Sequence, residues 1–145
     1  MFRRILLPTD GSSLSEAAVQ QGVRFAKATG ARIVGLCVIP EKKFYLYQTG
    51  VIVRSREQAL NEHREETGRN LQCIKTAAQA AGIPCEVCFE VNDHPFEAII
   101  QTAERKDCDL IMMASHGRRG AQALLLGSET QKVLTHSKIP VLVFR

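Results

Sequence analysis

The chain predicts an open, doubly wound α/β sheet. Short apolar runs alternate with helical stretches from one end to the other. The runs are continuous rather than alternating, as parallel strands covered on both faces require. Each helical stretch is long enough to carry a crossover between parallel strands, and such crossovers are right-handed. With 145 residues, 45% hydrophobic and 23% charged, the chain suits one domain, 1–145, around one core.

The elements follow in order. RRILLPTD (3–10) has an apolar centre, Ile5 to Leu7, stopped by Pro8, and reads as a buried strand. Residues 11–30 read as a helix: Ser13 and Glu16 fit a capping box, Leu14, Ala18 and Phe25 give an apolar stripe, and Gly30 ends it. ARIVGLCVIP (31–40) is a second strand. EKKFYLYQTG (41–50) reads as irregular and holds three aromatic residues. A long, mostly polar helix is predicted over 53–81, ended by Gly82. PCEVCFEV (84–91) is a third strand, and 94–105 a helix with Pro95 near its start, where a missing N–H is harmless. CDLIMMA (108–114) is a fourth strand, 128–137 a helix, and IPVLVFR (139–145) a fifth strand.

Composition narrows the function. No apolar run reaches 18 residues, so no membrane span is predicted, and the apolar stretch near the start is too short for a signal peptide. Both point to a cytoplasmic protein. The net charge of +4 is dispersed, no Lys/Arg run exceeds two, and Trp is absent, so nothing demands nucleic acid. Five cysteines without a secretory signal are expected to be reduced thiols. Cys85 and Cys88 stand three apart on a strand and face opposite sides, unlike a redox pair at a helix start.

In such a sheet, ligands bind beyond the carboxyl ends of the strands, where the winding reverses. The segments after the first and fourth strands, PTDGSS and ASHGRRG, are the richest in glycine and small polar residues. In ASHGRRGAQALLLGSET (114–130), glycines let backbone N–H groups approach an anion, and Gly127-Ser128 opens a helix whose free N–H groups and dipole favour negative charge. Arg118 and Arg119 either screen phosphate charge or lie in solvent. Ser128 with Gln131 is also a capping box, so Ser128 either caps the helix or donates to a ligand. His116 is a local hydrogen-bonding residue or a catalyst, and Asp10 a turn cap or a ribose ligand. The sequence has no GxxxxGK[ST], no GxGxxG after the first strand, no GxSxG and no HExxH, which excludes the corresponding phosphate loop, dinucleotide, hydrolase and zinc readings.

These segments resemble the universal stress protein family over the whole chain. RRILLPTDGS, RIVGLCVIP, CDLIMMASHGRRGAQALLLGS and IPVLVFR carry the resemblance. The family's nucleotide-binding branch shows Gly, two residues, Gly, nine residues, then Gly-Ser or Gly-Thr. Gly117 and Gly127-Ser128 match the last two elements, and Ala114 stands where the first glycine would be. The resemblance implies a Rossmann-like, adenine nucleotide alpha hydrolase-like sheet of order 3-2-1-4-5. It places Pro8, Thr9 and Asp10 at a nucleoside and Val38 at the adenine. Ala114, Gly117, Gly127, Ser128 and Glu129 then offer groups, chiefly backbone N–H, to the phosphates of ATP; the reading of the residues adds His116 and Arg118 to this candidate site. Mg²⁺ or Mn²⁺ would arrive with the phosphates, without a protein metal cage or a catalytic set. Glu129 would repel a triphosphate unless turned away. The resemblance also implies a homodimer through strand 139–145, whose apolar edge needs cover. Phe44 to Tyr47 would flap over the nucleotide, join a partner or cover the sheet edge.

Three functions remain open at this point. One is an ATP-binding stress or signalling module with slow hydrolysis at most. The second is a dimeric interaction protein of the same fold that binds no nucleotide. The third, an adenylyl-transferring enzyme, would need an activated substrate pocket.

Overall fold

The computed structural model describes residues 1–41, 44–46, 50–52, 56–118 and 125–145, with the backbone alone for 44–46 and 50–52. The chain order is β1 (Arg4–Thr9), α1 (Ser13–Thr29), β2 (Arg32–Ile39), β3 (Phe44–Leu46), β4 (Gly50–Ile52), α2 (Arg56–Ala81), β5 (Cys85–Val91), α3 (Pro95–Arg105), β6 (Leu110–Ala114), α4 (Ser128–His136) and β7 (Val141–Phe144). Five strands form one parallel sheet in the order β5-β2-β1-β6-β7. Counted without β3 and β4, this is the predicted order 3-2-1-4-5.

The apolar runs are continuous because successive residues serve opposite faces. Ile5 and Leu7 of β1 and Ile33 of β2 pack with Val19, Val23 and Ala26 of α1 and Ile74 and Ala78 of α2. Leu6, Val34 and Leu36 join Ile99 and Ala103 of α3 and Val133 of α4 on the other face. Ile5, Leu6, Leu36, Ile74 and Ile111 are sealed from solvent. Truncating such a side chain to Ala destabilises by roughly 2–5 kcal/mol. Gly35 has no room for more, since a Cβ there would meet Ile74 and Val87 at 2.9–3.0 Å.

Three expectations need correction. Residues 41–50 are not irregular throughout, because β3 and β4 pair antiparallel, Tyr45 opposite Val51. Three-residue strands are too short to show a periodicity. The first cap is Ser12, not Ser13: Ser12 Oγ accepts Ser15 N–H at 3.2 Å and Asp10 Oδ1 accepts Ser12 N–H at 2.9 Å. Asp10 thus fixes which serine starts the helix. At α4 the cap is Gly127, with no side-chain cap bond, so Ser128 is the first helical residue and not the cap. Gln131 instead donates from Nε2 to the Leu126 carbonyl at 2.9 Å. Gly30 and Gly82 end α1 and α2 with φ of 72° and 70°, a conformation glycine adopts without strain.

Candidate functional site

The winding reverses between β1 and β6. From β1 the chain moves outward to β2 and β5, then returns to β6 and β7 on the other side. The β1–β2 ladder runs as far as Thr9 opposite Cys37. The β1–β6 ladder pairs Ile5 with Leu110 and Leu6 with Ile111, and extends no further. The two strands therefore part toward their carboxyl ends, where a crevice is expected.

The loops after β1 and β6 meet there through Asp10. Its Oδ2 accepts Arg118 N–H at 2.8 Å while Oδ1 holds Ser12. A Cβ on Gly117 would collide with Asp10 Oδ2. Burial pushes the Asp10 carboxyl up, but hydrogen bonds from Ser12 and Arg118 outweigh that and hold it below its usual range. Thr9 is buried, and its hydroxyl lies 3.1 Å from Ser15 Oγ and 3.2 Å from Gly11 N. Pro8 sits opposite Leu36, and Val38 opposite Glu90, one residue beyond the Thr9–Cys37 pair. Pro8 and Val38 stand near the carboxyl ends of β1 and β2 by ladder position. Asp10 joins Gly117 and Arg118 by contact, while Thr9 bonds within the turn after β1.

The second junction brings α4 against β6. Gly127 N–H donates to the Ser115 carbonyl at 2.7 Å, and a Cβ on Gly127 would stand 3.1 Å from that oxygen and 3.3 Å from His116 Cα. Thr130 Oγ1 donates to the Ala114 carbonyl at 3.0 Å. Glycine is needed at 117 and 127 for close approach, not for positive φ, which neither adopts. Ala114 ends β6 opposite Phe144 in ordinary strand conformation, so its Cβ imposes no backbone strain. The first intrahelical bond of α4 runs from Gln131 N–H to Gly127 O. The N–H groups of Ser128, Glu129 and Thr130 thus have no partner within the helix.

Side chains account for several of the remaining groups. The Arg118 guanidinium pairs with Glu66 of α2, so it points to the side wall rather than over the loop. Gly127 N–H, expected to face phosphate, is used on Ser115. The Glu129 carboxylate is held by the protein itself: its Oε2 accepts Phe96 N–H at the start of α3 at 2.9 Å, and Oε1 lies 3.3 Å from Lys132 Nζ. The His116 ring lies between Ser115 Oγ, 2.9 Å from Nδ1, and the Leu125 carbonyl on the Nε2 side. Ser128 is exposed. Residues 119–124, including Arg119 and Gly120, fall outside the described residues, as do the side chains of Phe44 to Tyr47.

The sequence pattern did not disclose the wall that α2 contributes. Asn70 packs on Gly11 and its Nδ2 lies 4.0 Å from Cys37 Sγ, with Thr67 also bonded to that thiol. Burial pushes the Cys37 thiol up, which favours its neutral form. Among the described residues, no group of three or more His, Cys, Asp or Glu could hold a metal ion, and no helix is long and apolar enough to cross a membrane.

Topology and crevice define an open α/β protein with its candidate site at the switch point of a five-stranded parallel sheet. The chain belongs to the universal stress protein family, whose model matches residues 1–145. It is 30% identical to Universal stress protein MJ0577 of Methanocaldococcus jannaschii, over all of this chain and 96% of that one. The solved structure of MJ0577 superposes with a TM-score of 0.80, covering 99% and 95% of the two chains. Two more distant structures share the fold. One is a universal stress protein in complex with cAMP (TM-score 0.74, 22% identity, 99% and 97% covered). The other is the universal stress protein from Archaeoglobus fulgidus in complex with dAMP (TM-score 0.68, 16% identity, 100% and 98% covered).

Proposed function

We propose that this universal stress protein binds an adenine nucleotide, ATP with Mg²⁺ or Mn²⁺ on its phosphates, as a stress or signalling module. The observation that carries this reading is the junction of Gly127 with Ser115. It sets the first turn of α4, whose leading amides have no partner within the helix, against the segment that follows β6. The cAMP and dAMP complexes of the two distant structures support the adenine class. The nucleoside would lie over Pro8, Thr9, Asp10 and Val38, and the phosphates over Ala114 to Arg118 and Gly127 to Glu129. Hydrolysis would be slow at most. Both oxygens of Asp10 and both ring nitrogens of His116 already have partners, which leaves neither poised as a general base.

The test is calorimetry with Mg-ATP on the wild type and on Gly127→Glu. A side chain at 127 runs into the Ser115 carbonyl and the His116 backbone, and its charge repels phosphate. The wild type should bind and the variant should not, with unchanged circular dichroism. Equal affinity in the two proteins would refute the cradle.

A second reading has its own support. Asp10 and Glu66 occupy Arg118 at both its amide and its guanidinium, so Arg118 is engaged by the protein's own side chains. A dimeric interaction protein without nucleotide fits that. Melting with and without Mg-ATP separates the two, since a ligand of the native state raises the midpoint. Either way we infer a homodimer through 139–145: β7 is an edge strand, and Leu142 and Leu134 are 38% and 42% exposed.

A further inference from the structure

Arg118 is held at two points by two different elements. Its N–H is bonded to Asp10 after β1, and its guanidinium to Glu66 on α2. Glu66 stands on the same stretch of α2 whose Thr67 and Asn70 lie over Cys37 and Gly11. The side wall of the crevice therefore carries a carboxylate where the basic loop enters. A phosphate chain lying along the α4 first turn and residues 115–118 would offer Arg118 the same chemistry that Glu66 offers. Both present anionic oxygens to a planar fork of N–H donors. Glu66 holds the Nη2 end of that fork, so a phosphate reaching it competes with Glu66 for the same donors.

We propose that Glu66 is an internal competitor for the phosphate chain, and so sets how strongly the site favours triphosphate over monophosphate nucleotides. This rests on the nucleotide reading above. A monophosphate that stops short of Arg118 leaves the ion pair intact. A triphosphate must take the guanidinium from Glu66. The exchange is feasible because the pair is half-exposed, 52% at Arg118 and 34% at Glu66, so a released carboxylate stays solvated, with its other oxygen 3.8 Å from His63 Nδ1. A pair this exposed changes an equilibrium by a factor of about 2 to 5.

The experiment is calorimetric titration with Mg-ATP and with AMP on the wild type, Glu66→Gln, Arg118→Ala, the double variant, and Glu65→Gln. Glu65 is the next carboxylate on α2, exposed and paired with Arg69, so it controls for a general change of charge. Glu66→Gln should tighten Mg-ATP binding by about two- to fivefold and leave AMP unchanged. The gain should vanish in the Arg118→Ala background, and Glu65→Gln should show none. An unchanged ratio of ATP to AMP affinity in Glu66→Gln would overturn the proposal, as would a gain that survives without Arg118 or is matched by Glu65→Gln. Flat titrations of every protein with both nucleotides would overturn the nucleotide reading and this inference together. Binding that ignores Glu66 would overturn the inference alone.

Discussion

Asp10 and Asp109 are the two carboxylates whose surroundings most clearly favour the charged form. Burial pushes each up, and hydrogen bonds more than reverse it: from the side chain and backbone of Ser12 and the backbone of Arg118 at Asp10, and from the backbone of Arg4 and Arg3 at Asp109. A folded-state pKa below the ordinary value of 3.8 means the unfolded chain takes up the proton first on acidification. The stabilisation is therefore complete above that value and is lost as pH falls through the lower folded value. Urea midpoints measured between about pH 6 and pH 2 should show a shallower acid decline for Asp10→Asn than for the wild type. An identical decline would mean the two N–H bonds contribute nothing to folding. At this scale the sequence was partly legible. Asp10 was marked by its place after an apolar strand. Arg118 was marked too, by the basic loop it stands in, but its bond to Asp10 was not, because no spacing rule connects the two positions. The opposite failure occurred at Ser12: serines at 12, 13 and 15 all suit a helix start, and only the Asp10 bond selects among them.

Among the elements, α3 and α4 are joined through their starts. His94, the cap residue of α3, makes no side-chain cap bond, and Glu129 from α4 supplies an acceptor to Phe96 N–H. Lys132 lies 5.4 Å from the Phe96 ring centre and 3.3 Å from Glu129, which closes the patch. Glu129→Ala should destabilise the fold by about 1 kcal/mol, as loss of a helix cap does, and Glu129→Gln by less because an acceptor remains. Denaturant unfolding of the two variants checks the order, and equal losses would show that the charge rather than the acceptor matters. Long elements were readable from the sequence because apolar continuity over five to eight residues marks a buried strand. The β3–β4 hairpin was not, because three residues give no period. Nor was the role of α2: its polar surface reads as a solvated face, and only tertiary placement sets Glu66, Thr67 and Asn70 beside the crevice.

For the whole molecule, the two edges of the sheet differ. β5 has Lys106 and Arg105 paired to its Glu86 and Glu90, whereas β7 ends the other side with VLVF. Charge protects an edge from pairing, and apolar exposure invites it. Leu142→Lys should convert the inferred dimer to a folded monomer, read by light scattering alongside the melting temperature. A dimer that persists would place the interface elsewhere. The segment after β6 is anchored to this same strand, since Ser115 N–H donates to the Phe144 carbonyl at 2.7 Å. Anything that tugs on the last strand thus moves the peptide that leads into Gly117. If two copies meet along that border, occupancy of one crevice is felt by its twin, and reciprocity makes assembly and ligand grip report on each other.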